Sequence, residues 1–278
     1  MYPESARASF EAMIRRPEET FDLALTAFVV AAEADPSLDV EGEWRRLNGW
    51  AEEFRSRVAP EWNNLQKLAR LRSYLFDELG FRGDGRDYYS PSNSLLHEVI
   101  RRREGVPLTL SILFLEIGWR AGMPLEGVGF PGHFLVRLTG EERDLLLDPF
   151  SEGRSVHEED CRRMLIEISD GKLDYDRSLI ASVGKREMIR RLLNNLKVSY
   201  LRANDDAGAL AAVERLRMLR PEDAFEARDE GLLLFRLHRY GAALERLTGY
   251  LRATPDAADR DRIEGHVAAL KERVAEMN

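Results

Sequence analysis

"GVPLTLSILFLEIGWRAGMPLEGVGFPGHFLVRL", residues 105–138, holds the change of pattern that decides the fold. From Leu108 to Ala121 the chain is apolar on nearly every side, as a helix buried inside a domain must be. Gly122 supplies the left-handed residue that ends such a helix, and Pro124 prevents its continuation. Alternating apolar segments then predict strands at 126–130 and 133–138. A third, "RDLLLDPF", follows at 143–150. "TGEE" (139–142) between the last two reads as a hairpin turn. A buried helix followed by an antiparallel meander is an α+β arrangement.

Upstream, "FRGDGRDYYSPSN" (81–93) is rich in Gly, Asp, Ser and Pro and reads as loop. "SLLHEVIRRREGVP" (94–107) reads as a short amphipathic helix stopped by Gly105 and Pro107. Residues 1–80 form a helical N-terminal region, with Phe21, Leu25, Phe28 and Val29 at helical spacing and breaks at Pro36 and Pro60. Residues 81–185 then form an α+β core. From Arg186 the pattern changes again. Pro221 and Pro255 are 34 residues apart, and the same offset pairs Tyr200 with Leu234, Ala209 with Ala243, and Leu216 with Tyr250. A 34-residue period of paired helices with a Pro after the second is the tetratricopeptide signature. Residues 186–278 therefore hold about two repeats, closed by the amphipathic helix "ADRDRIEGHVAALKERVAEM".

An apolar fraction of 44% with 32% charged residues excludes a disordered chain. The net charge of −8 gives nucleic acid no general attraction. One cysteine excludes an intramolecular disulfide and a cysteine-based metal cluster. "LALTAFVVAA" (23–32) is too short to span a bilayer, and the charged N-terminus lacks a secretory apolar segment. The expectation is a cytoplasmic protein without a membrane partner, a cofactor or a metal.

The chemistry concentrates on few residues. His133 opens one strand and Asp148 closes the next, so an Asp that accepts the Nδ1 proton would leave Nε2 as a base. The competing reading is a core histidine beside a strand-end aspartate that caps a turn. A nucleophile would belong at the start of the buried helix, where the macrodipole favours an anion. "GVPLTLS" offers only Thr109 and Ser111 there, and capping or back-bonding within a helix is the favoured reading of both. Cys161, in "EEDCRRMLIEI", reads as a small buried apolar residue. Glu116, alone in an apolar helix, needs a partner such as Arg120 or Arg137. His97, His157, His238 and His266 show no metal-ligand spacing.

The stretch 93–150 followed by a tetratricopeptide tail resembles the bacterial transglutaminase-like proteins of the SirB type. That resemblance implies a helical N-terminal region, a papain-like core and C-terminal repeats. In the wider superfamily a cysteine starts the central helix, and His and Asp lie on successive strands. The resemblance places His133 and Asp148 at the last two positions. The cysteine position falls within Pro107–Ser111, which holds no cysteine. Two functions follow as expectations. One is a non-catalytic module that binds a protein or peptide through the repeat groove and the altered cleft. The other is a hydrolase or acyltransferase in which Ser111 or Thr109 attacks with His133 as base. The first is favoured, because an alkoxide needs far more activation than a thiolate.

Overall fold

Side-chain caps divide the first eighty residues into helices, in a computed structural model that describes residues 3–140 and 143–276. These are α1 (Pro3–Ile14), α2 (Leu23–Ala34), α3 (Val40–Ser56) and α4 (Asn64–Arg72). Asp22 caps α2 through Leu25 N–H at 2.8 Å, and Asp39 caps α3 through Gly42 N–H at 3.0 Å. Asn63 and Gln66 close a reciprocal capping box on α4. α2 is buried along most of its length and packs against α1, α3 and the two helices that follow.

Those two are α5 (Leu96–Arg102) and α6 (Pro107–Arg120), flanked by a two-residue parallel pair, β1 (Arg82–Gly83) and β2 (Glu104–Gly105). Arg103 ends α5 in the left-handed region at φ 61°. Pro107 takes the first position of α6, where its missing N–H costs nothing. Every residue of α6 from Pro107 to Gly118 is buried. Gly122, at φ +71°, lets Met123 N–H bond back to Gly118 O at 3.0 Å and terminates the helix.

The expected meander is present and shorter at its ends: β3 (Leu125–Val128), β4 (Leu135–Leu138) and β5 (Leu145–Asp148), with Val128 opposite Leu135 and Val136 opposite Leu147. Residues 129–134 leave the ladder, because Pro131 lacks a ladder donor and Gly132 sits at φ +63°. Glu141 and Glu142 of the expected hairpin turn lie outside the described residues. After β6 (Arg154–Val156) come α7 (Glu158–Ser169) and β7 (Ser182–Val183), giving an antiparallel sheet of order β6-β5-β4-β3-β7. β6 and β7 are too short to show a period in the sequence.

The chain divides into two compact units, Met1–Leu192 and Leu193–Asn278. α8 (Lys185–Arg202) begins in the first and ends in the second, which continues with α9 (Asp206–Leu219), α10 (Ala224–Arg236), α11 (Tyr240–Ala253) and α12 (Arg260–Glu276). The 34-residue offset has a physical basis in this second unit. Ala209 and Ala243 are both fully buried, and Leu216 and Tyr250 are nearly so. A Cβ on Gly231 would come within 2.5 Å of Leu247, so α10 and α11 cross closely there. α12 closes the open edge by burying Ile263, Val267 and Leu270, each contributing roughly 2 kcal/mol of apolar burial.

Candidate functional site

Asp148 ends β5 and caps the short 3₁₀ turn Pro149–Ser151. Its Oδ1 accepts from Phe150 N–H at 3.0 Å, and its Oδ2 accepts from the Ser151 hydroxyl at 2.8 Å. "DPFS" is thus an Asx-type turn written into the local sequence. His133 Nε2 lies 2.9 Å from the same Oδ1. Burial works to raise the Asp148 carboxyl. The bond and charge of His133, with the bonds from Ser151 and Phe150, outweigh it and hold the group below the ordinary aspartate value.

The nitrogen that meets Asp148 differs from the expected one. Asp148 lies one step beyond the Val136–Leu147 pair, so His133 is its diagonal neighbour rather than the residue opposite. Such a gap is wider than a direct cross-strand pair. The outer nitrogen, Nε2, spans it, and Nδ1 is left for another partner.

Aromatic rings surround this pair. The Phe150 ring meets His133 edge-on at 6.0 Å and Tyr88 at 6.3 Å, and Tyr88 in turn contacts Tyr89 at 5.2 Å. Burial, aided by Tyr89, pushes the Tyr88 hydroxyl up. Gly83 allows the closest approach: a Cβ there would fall 2.7 Å from the Phe150 ring and 2.8 Å from its carbonyl oxygen. The 3₁₀ turn also packs on α6, which brings the His133–Asp148 corner to the helix where a nucleophile would be expected.

The two hydroxyls at the start of α6 differ. The Thr109 oxygen accepts from Val106 N–H at 3.1 Å and lies within donating distance of Asn93 O at 2.9 Å and Val106 O at 3.1 Å. Thr109 therefore satisfies the first turn of the helix and ties it to the preceding loop. Ser111 is fully buried and its hydroxyl has no hydrogen-bond partner. Neither hydroxyl bonds to His133. Cys161 lies in α7, in a cluster with Val128, Phe130 and Leu135. Burial, with the charges of Asp160 and Glu158, pushes its thiol up, away from the thiolate.

Glu116 is structural. Its Oε1 accepts from Ala24 N–H at 2.9 Å at the start of α2, and its Oε2 pairs with Arg120. Sequence reasoning passed over Ser151, Phe150 and Asn93. Asn93 is fully buried, donates to Asp84 Oδ2 at 3.0 Å and to Asp87 O at 2.7 Å, and leaves its Oδ1 without a partner. "DPFS" signalled the first two locally. Asn93 lay in an apparent loop and carried no signal.

Among the described residues no group of three or more His, Cys, Asp or Glu side chains is placed to hold a metal ion. No helix among them is long and apolar enough to cross a membrane.

A buried helix, an antiparallel sheet and a His–Asp corner against that helix define a transglutaminase-like core, here followed by tetratricopeptide repeats. The family model of the transglutaminase-like superfamily matches residues 44–194, and a tetratricopeptide-repeat model matches residues 196–267. The UPF0162 protein of Xylella fastidiosa (strain 9a5c) is 35% identical over 257 residues, covering 91% of each chain. The UPF0162 protein YchA of Escherichia coli (strain K12) is 31% identical, with 80% of this chain and 81% of that one covered. F-box only protein 21 of Homo sapiens is 31% identical over 139 residues, 47% of this chain and 21% of that protein. The chain belongs to the UPF0162 family within the transglutaminase-like superfamily.

Proposed function

We propose that this is a non-catalytic, cytoplasmic transglutaminase-like protein of the SirB type, which binds a protein or peptide through its repeat groove and altered cleft. One observation carries the reading. Of the two hydroxyls at the start of α6, that of Thr109 is committed to Val106 and Asn93, and that of Ser111 is fully buried. Removing the Thr109 proton would first cost the bond that it donates to Asn93 O, which ties α6 to the preceding loop.

Two exposed apolar side chains on the first helices of the repeats support the binding role, Val198 on α8 and Phe225 on α10, 42% and 58% exposed. Nearby, Lys197 bonds Glu226 at 2.9 Å and Asp229 at 2.6 Å and joins the two helices. Paired helices of this kind present side chains to an extended ligand.

The test uses the full chain. Peptides selected from a random display library are resynthesised and titrated by fluorescence anisotropy. Phe225→Ala combined with Val198→Asp should weaken binding at least tenfold, whereas His133→Ala leaves it largely intact. Equal binding by the groove variant overturns the reading. The oriented His133–Asp148 pair favours a second one, a Ser/Thr-dependent hydrolase or acyltransferase. Turnover of an activated ester that disappears in both His133→Ala and Ser111→Ala would establish it.

A further inference from the structure

His133 owes its position to the turn before it. His133 N–H bonds to Phe130 O at 3.2 Å, with Pro131 and then Gly132, at φ +63°, between them. Proline followed by a glycine at positive φ is the pattern of a type II turn. The side chain of Phe130 is buried with Val128, Leu135 and Leu165, which anchors one end of the turn. Gly129 and Phe130 lie beyond the end of the β3–β4 ladder, so their carbonyls find donors outside it.

Arg191, on the first-unit portion of α8, supplies them. Its Nη2 donates to Gly129 O at 2.7 Å and its Nη1 to Phe130 O at 3.3 Å. The planar fork thus grips two successive carbonyls, a geometry that a lysine does not reproduce. Glu187, one turn back on α8, lies 3.4 Å from the Arg191 Nε and steadies the guanidinium from behind.

The approach of this helix is close enough to dictate sequence. A Cβ on Gly127 would fall 2.1 Å from Met188 Cε, and one on Gly129 would fall 2.6–2.9 Å from the Arg191 guanidinium. Met188 and Arg191 share one face of α8, and Gly127 and Gly129 share one side of the extended chain. Two glycines therefore mark the track along which α8 lies on β3 and on the turn that follows.

We propose that Arg191 is the positioning residue of the His133–Asp148 pair. Its grip on Gly129 and Phe130 fixes the Pro131–Gly132 turn and so aims His133 Nε2 at Asp148. The role is independent of whether the pair binds or catalyses. Arg191 touches neither His133 nor Asp148 and acts only through the backbone that leads into His133.

The experiment is nuclear magnetic resonance of the full chain with ¹⁵N-labelled histidine and tryptophan. Ring correlation spectra at neutral pH report which nitrogen of His133 carries the proton and how fast that proton exchanges. The wild type should show the Nε2–H tautomer with a proton protected by Asp148. Arg191→Ala should give a mixed tautomer and at least tenfold faster exchange, and Arg191→Lys should recover only part of the protection. Gly129→Ala provides a second variant. Its backbone lies outside the left-handed region, so alanine is allowed there, and the nearest atoms to the new methyl are those of the movable end of Arg191. It should reproduce the Arg191→Ala spectrum with Arg191 still present. The Trp119 indole N–H, which donates to Leu125 O at 2.8 Å at the start of β3, reports that the sheet and α6 remain folded. A wild-type His133 spectrum in Arg191→Ala or in Gly129→Ala, with the Trp119 signal in place, overturns the proposal.

Discussion

The corner at the end of β5 and the first turn of α6 are the two halves of what a catalytic site would need, and they are built in opposite ways. At the corner, one carboxylate gathers three donors, and His133 keeps a ring nitrogen for a further partner. At the helix start, Pro107 offers no donor and Thr109 is tied on both sides. The corner is built around one acceptor shared by its neighbours, and Thr109 is used to hold the helix. A His–Asp pair thus stands near a helix whose first turn is held by Thr109.

Three variants sharpen or break that contrast. The largest effect should come from Asp148→Ala, which leaves His133, Phe150 N–H and Ser151 without their acceptor. A loss of about 3 kcal/mol is expected in denaturant unfolding at pH 7. Because the folded carboxyl is held below its unfolded value, its stabilisation is full above about pH 3.9, the ordinary aspartate value. It fades as the pH falls through the lower folded value. The stability gap between wild type and Asp148→Ala should therefore close below about pH 4. A gap that persists there means that packing rather than charge is responsible.

Thr109→Val should cost about 2 kcal/mol, since Val106 N–H and Asn93 O lose a buried partner while the shape is kept. Thermal unfolding followed by circular dichroism would read it. A neutral result would mean that the hydroxyl is dispensable to the fold and available for chemistry.

Ser111→Ala should have the smallest effect and the opposite sign. A buried hydroxyl without a partner is unfavourable, so its removal should stabilise the chain by about 1 kcal/mol. Destabilisation would reveal a partner for Ser111 and reopen its candidacy as a nucleophile.

The parts that were legible in the sequence are those governed by near neighbours along the chain. The apolar surface of α6, the Gly122 stop and the Asp–Pro–Phe–Ser turn are each written within a few residues. The repeat helices are legible for a related reason, because each packs on its neighbour and the period returns every 34 residues. The ties that decide the site join distant segments. Thr109 meets Asn93 across 16 residues, Glu116 meets Ala24 across 92, and Arg191 meets Gly129 across 62. No periodicity carries such pairs, and β6 and β7 are too short to have one.

His133 shows where the boundary falls. By itself the sequence determined that a histidine follows Pro131–Gly132 and that an aspartate ends the next strand, because turn chemistry and strand alternation act locally. Only the tertiary structure decided that Nε2 is the nitrogen that meets Asp148, that Phe150 lies against the ring, and that α8 holds the turn. Those outcomes depend on how closely β1 and α8 approach the corner, and that is set by the glycines at 83, 127 and 129. A missing side chain allows a contact but does not name the partner, so packing had to choose it.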